Sequence, residues 1–216
     1  MSILDECGPP PVEEAGLSLD DVTSGELGAS FEACKEITRS RARNFYHGLR
    51  LTPEPKRGVL YAVYAWMREA DDIADDEGTG VPRQERLAAF TERTNLVLSG
   101  ETVTEGWWGA FSASYRAFAL RPAPFERTLE GVRKDIEDDA SSAGFGSVYA
   151  DRAGLERYCE HVASTVGVLC IRIWGVTDRD AWPDAHRLAI RRGVAFQLTN
   201  ILRDIEEDAG EGRCYV

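Results

Sequence analysis

Apolar residues recur at three- and four-residue intervals along most of the chain, and sustained alternation is missing, so the pattern predicts helices rather than strands. Seven helices are expected. The first covers residues 27–40. The second takes Thr52 as its N-cap with Pro53 in the first turn, and runs to about residue 76, ahead of Gly78. The third follows Pro82 and stops at Gly100, the fourth covers 104–120 and the fifth 124–140. The sixth opens with Asp151 as N-cap and carries Leu155, Val162, Val166 and Leu169; the last starts at Pro183 and ends near Gly210. Prolines 53, 55, 82, 122, 124 and 183 punctuate these segments instead of interrupting them. Residues 1–26, rich in Pro, Gly and acids, read as a poorly ordered tail, and 27–216 as one domain. The predicted class is all-α.

Two of these helices carry a polar stripe on an otherwise apolar surface. On the second, Tyr64, Arg68, Asp71 and Asp75 follow spacings of four, three and four, which brings them within roughly 60° of one another around the helix. Val59, Val63, Trp66, Ala70 and Ile73 supply the neighbouring apolar face. On the last, Gln197, Asn200, Asp204 and Asp208 repeat the arrangement beside Phe196, Leu198, Ile201 and Ile205. Oxygen-only ligands on rigid helices suit a hard cation that keeps some of its waters, which is the magnesium pattern. If the two stripes face each other, magnesium ions between them can bridge to a diphosphate and stabilise it as a leaving group. The competing reading is a non-catalytic helical protein whose acids form a solvated face or bind calcium structurally. A third run, residues 135–139, has the same acid spacing next to Arg133 and Lys134, and reads mostly as surface.

Charge narrows the function further. A net charge of −12 argues against a nucleic-acid binder that neutralises phosphates with its own cations, but not against phosphate chemistry mediated by a metal. Cys7, Cys34, Cys159, Cys170 and Cys214 form no CxxC and no zinc spacing, and read as reduced thiols of a cytoplasmic protein. The first residues lack the pattern of a signal peptide. The most apolar stretch, 166–176, contains Arg172 and is too short to span a bilayer, so a soluble or peripheral protein is expected. His47, His161 and His186 show no metal spacing.

The motifs then resemble a known family. YAVYAWMREADDIADD (61–76) and QLTNILRDIEEDAGEGRCY (197–215) resemble the two aspartate-rich signatures of the squalene and phytoene synthases. RSRARNFYHGLRLTPEPKR (39–57) and YCEHVASTVG (158–167) resemble supporting segments of the same family, and the likeness runs from about residue 29 to 216. It implies a class I isoprenoid (terpenoid) synthase bundle around a central cavity. Asp71, Asp75, Asn200, Asp204 and Asp208 match the family's magnesium and diphosphate residues, and Arg41, Arg43, Arg68, Arg203 and Arg213 its basic positions near the diphosphates. Phe45, Tyr64, Val162, Val166 and Gln197 match its pocket wall, and Tyr158 a tyrosine that assists proton removal or cation steering. Ala42 and Asn44 depart from the family, which has serine there. The family also continues past the GRxY motif with two or three further helices, so the chain reads as C-terminally truncated.

The resemblance implies head-to-head condensation of two farnesyl or geranylgeranyl diphosphates through a cyclopropylcarbinyl diphosphate, giving presqualene diphosphate, squalene or phytoene. Mg2+ is the implied cofactor, with NADPH only where the product is squalene; the chain has no GxGxxG fingerprint. Water-insoluble products imply transient membrane contact, and no protein partner is inferred. A terpene cyclase or a chain-elongating prenyl diphosphate synthase is the nearest alternative.

Overall fold

The computed structural model describes residues 8–9, 16–42, 44–75, 80–141, 149, 151–210 and 215, with the backbone alone at 44 and 138–141. Every regular element among them is helical, as the periodicity predicts. The chain divides into two compact units, one of Pro9–Pro122 with Arg172–Gly175, the other including Ala123–Ile171 and Val176–Val216.

The first unit holds α1 (Leu19–Thr23), α2 (Gly25–Arg41), α3 (Asn44–Leu49), α4 (Lys56–Asp75), α5 (Arg83–Leu98) and α6 (Trp108–Ala117). Helix begins at Leu19, well before the expected residue 27. Ser18 and Asp21 form a capping box there, with the Asp21 amide donating to Ser18 Oγ at 3.2 Å and the Ser18 amide to Asp21 Oδ2 at 2.8 Å. α1 is anchored by Val22, which lies so close to α4 that a Cβ on Gly58 would come within 2.7 Å of its Cγ1.

The start of α4 also differs from expectation. Thr52 is not its cap, because the helix begins only at Lys56; the Thr52 hydroxyl accepts from Trp174 Nε1 at 3.1 Å. Glu54 serves instead: Oε2 accepts from the Gly58 amide at 2.9 Å, and Oε1 from Arg57 Nε at 2.7 Å. The core behind α4 is aromatic. Trp66 is fully buried, donates from Nε1 to Thr94 Oγ1 at 3.0 Å, and packs on Phe90 and Phe111 with ring centroids 5.4 and 5.9 Å away. This packing buries three sides of α4 and leaves Tyr64, Arg68, Glu69, Asp71, Asp72 and Asp75 along the remaining edge.

The second unit holds α7 (Pro122–Ser141) from Ala123 on, α8 (Arg152–Cys159), a π-helical turn (Glu160–Ser164), α9 (Thr165–Trp174) as far as Ile171, α10 (Trp182–Arg203) and α11 (Ile205–Gly210). Asp151 caps α8 as its position predicts, accepting from the Gly154 amide at 2.7 Å. The expected sixth helix is interrupted by the π turn, which takes up extra residues per turn and rotates the face presented after it. α10 crosses this turn backbone against backbone. A Cβ on Gly193 would stand 2.4 Å from Ser164 Cα, and Ser164 Oγ donates to the Ile190 carbonyl at 2.8 Å.

The expected last helix is likewise two segments. Asp204 adopts φ −98° and ψ 9°, ending α10, and α11 starts at Ile205. Yet the hydrogen bonds keep step across the break: the Asp204 amide donates to the Asn200 carbonyl and the Asp208 amide to the Asp204 carbonyl, both at 2.9 Å. The i, i+4 register of Asn200, Asp204 and Asp208 therefore survives the interruption.

Candidate functional site

α4 sets the first aspartate group. Tyr64, Arg68, Asp71 and Asp75 do share one edge, and Arg41, from the end of α2, is brought to it. The meeting point is Asp72, a residue that the sequence reading passed over. Its Oδ2 accepts from Arg41 Nη2 at 3.1 Å, and its Oδ1 accepts from Arg68 Nη2. Asp71 and Asp75 carry no ion pair among the described residues, so their oxygens stay available. Asp71 reaches solvent and is at the same time closely surrounded by protein. The surrounding protein dominates its titration: burial pushes the carboxyl up to about 7, Arg68 opposes, and the Asp75 and Asp72 carboxylates reinforce. Burial likewise raises the Tyr64 phenol.

α10 and α11 set the second group, in the other unit. Gln197, Asn200, Asp204 and Asp208 are half-buried. Asp204 is gripped by its neighbour: Arg203 Nε donates to Oδ1 at 2.7 Å and Nη2 to Oδ2 at 2.6 Å. That hydrogen-bonded guanidinium holds the Asp204 carboxyl below the usual carboxylate range. Among the described residues no three His, Cys, Asp or Glu side chains are grouped as a ready-made metal cage. The donor chemistry still fits magnesium, which uses one or two carboxylates and completes its shell with water and substrate phosphate.

Tyr158 occupies an aromatic cluster of the second unit. It packs on Tyr149 and Tyr215 with centroids 5.2 and 5.7 Å away, beside Leu155, Cys159, Ile201 and the half-buried Val162. Burial, the charge of Asp135 and a hydrogen bond with Tyr215 raise its phenol far above the ordinary value, so the hydroxyl keeps its proton. Asp135 is half-buried, which corrects the reading of this part of the 135–139 run as surface. Its charge acts on the Tyr158 hydroxyl from α7, and no local spacing could have signalled an interaction between two helices. Val166, on α9 just after the π turn, lies outside the cluster and is 38% exposed. Phe45 is 75% exposed on α3. Arg43 and Arg213 lie outside the described residues.

Comparison with known proteins bears on this arrangement directly. The sequence signature described as squalene/phytoene synthase matches residues 38–216, which include both aspartate groups. The chain belongs to the squalene/phytoene synthase family. Among relatives, a presqualene diphosphate synthase of Rhodopseudomonas palustris is 36% identical over 174 residues, covering 80% of this chain and 57% of the relative. A 15-cis-phytoene synthase of Synechococcus elongatus is 33% identical over 198 residues, covering 88% of this chain and 61% of the relative. In structure, the chain is similar to a dehydrosqualene synthase at TM-score 0.73 and 32% identity, over 86% of this chain and 60% of that one. A squalene synthase from Alicyclobacillus acidocaldarius gives TM-score 0.72 at 30% identity, over 88% and 66%. The helical fold of this squalene/phytoene synthase family member is thus that of the isoprenoid synthases. The chain spans about three-fifths of the length of the curated relatives it matches. No helix among the described residues is long and apolar enough to cross a membrane.

Proposed function

We propose that this protein catalyses, or forms the diphosphate-binding part of an enzyme that catalyses, head-to-head condensation of two prenyl diphosphates with magnesium as cofactor. The observation that carries the reading is the edge of α4, where two carboxylates without ion pairs among the described residues stand beside two arginines that share Asp72. Asp71 and Asp75 would hold magnesium, which would supply positive charge to a leaving diphosphate, and Arg41 and Arg68 would donate to phosphoryl oxygens. Asn200, Asp204 and Asp208 offer a second oxygen set, in which the Asp204 oxygens already accept from Arg203.

In the reaction, one prenyl chain loses diphosphate to give an allylic cation. The double bond of the other attacks it, and loss of a proton closes a cyclopropane ring, releasing one diphosphate for each cyclopropylcarbinyl diphosphate formed. Tyr158, which keeps its proton, serves this cation better through its ring and hydroxyl dipole than as an anionic base. A second ionisation rearranges the ring, with NADPH consumed only where the product is squalene. The names of the relatives, presqualene diphosphate synthase and 15-cis-phytoene synthase, support the condensation and leave farnesyl and geranylgeranyl chains both in play. The site is cytoplasmic in character, with transient contact to a membrane surface for release of the apolar product.

Mass spectrometry of the products from farnesyl or geranylgeranyl diphosphate, with and without NADPH, tests the reading. A cyclopropylcarbinyl diphosphate, squalene or phytoene is expected, and a cyclic terpene or a lengthened diphosphate would sink it. D71N and D204N should each lower turnover by about 100-fold or more.

A further inference from the structure

Asp72 lies inside the first aspartate motif, but its environment differs from that of Asp71 and Asp75. Its two oxygens are divided between two helices, one accepting from Arg41 of α2 and the other from Arg68 one turn back on α4. Both are therefore engaged by cations held on different helices, and a metal using them would have to compete with two charge-assisted contacts that tie α2 to α4. Arg41 and Arg68 would repel each other without an anion between them, and each would keep its rotamer freedom. A shared carboxylate removes both difficulties. Among the described residues the buried Arg68 Nε has no hydrogen-bond partner, so part of its donor fork remains unused in this pairing.

We infer that Asp72 is a positioning residue, clamping Arg41 and Arg68 side by side so that their remaining N–H groups meet a diphosphate, and that it is not a metal ligand. The inference rests on the diphosphate-site reading above, and it divides the motif by task. Asp71 and Asp75 face the cation, and Asp72 faces inward to the arginines. Because Arg41 comes from another helix, the clamp also fixes the end of α2 against α4.

The test is calorimetric binding of inorganic pyrophosphate across a magnesium series, with wild type, D72N, D72E, D71N, R41Q and the R41Q/D72N pair. D72N should weaken pyrophosphate binding about tenfold at saturating magnesium, the loss of one charge-assisted hydrogen bond. It should leave the magnesium concentration for half-effect unchanged, whereas D71N should raise it. D72E should recover most of the affinity, and R41Q should cost less in the D72N background than in wild type. Thermal melts without ligand establish that each variant folds. If D72N does not fold, R41Q carries the test from an exposed position: it must weaken pyrophosphate without changing the magnesium requirement. A raised magnesium requirement in D72N makes Asp72 a metal ligand and overturns the inference, as does wild-type pyrophosphate affinity in D72N or R41Q, or full additivity in the pair. A wild-type protein that binds no magnesium pyrophosphate would overturn the diphosphate-site reading itself, and the inference with it.

Discussion

The two aspartate helices carry nearly the same pattern of residues and sit in opposite surroundings. α4 is enclosed on three sides, with Trp66, Val59 and Ala70 fully buried behind its acidic edge. α10 and α11 leave Leu188, Phe196, Leu202 and Ile205 between 46% and 65% exposed. The acids differ accordingly. The protein around Asp71 pushes its carboxyl up, while Arg203 holds the Asp204 carboxyl down. Spacing determines which face an acid occupies; the packing around that face determines its charge at neutral pH.

The contrast can be tested at its anchors. Trp66→Ala should destabilise the protein by about 3–5 kcal/mol, whereas Leu202→Ala should stay within about 0.5 kcal/mol, both read from chemical denaturation. Comparable losses would mean that the second helix is enclosed as firmly as the first. Gly193→Ala comes next. α10 is held by backbone contact at Ser164, so the added methyl should cost about 1–3 kcal/mol and lower the melting temperature. An unchanged melting temperature would place the anchorage of α10 elsewhere.

The smallest effect is in pH dependence. With its folded pKa raised, Asp71 retains a proton that the unfolded chain has released, between about pH 4 and about 7. Its stabilising contribution is thus complete below that window and disappears as pH rises through it. Asp204, held low, contributes above the ordinary carboxylate range and loses that contribution only as pH falls below it. Melting temperatures from pH 5 to 8 should converge on, or drop below, those of D71N as pH rises, while the difference from D204N stays flat. The opposite trend for D71N would mean that Arg68 outweighs burial at Asp71.

Local chemistry was legible in the sequence, and long-range chemistry was not. The Asp151 cap follows from one side chain reaching an amide three residues on, and the edge of α4 from helical period alone. The pairing of Arg68 with Asp72 was within reach as an i, i+4 contact, but the arrival of Arg41 from 31 residues away was not. The same limit hid Asp135 beside Tyr158. Thr52 is no cap because α4 starts only at Lys56, where Glu54 takes the Gly58 amide, and the Thr52 hydroxyl meets a tryptophan 122 residues further on. The break at Asp204 left no sequence signal, since the residues on both sides of it suit a helix equally well.

The pairing of Arg203 with Asp204 has a thermodynamic consequence. A cation that drew the Asp204 carboxylate away from the guanidinium would free two N–H donors on Arg203. Those donors would suit an anion next to the same cation. Binding of the one would then favour the other, and by reciprocity the effect would run both ways, with a strength set by how firmly Arg203 holds Asp204 beforehand.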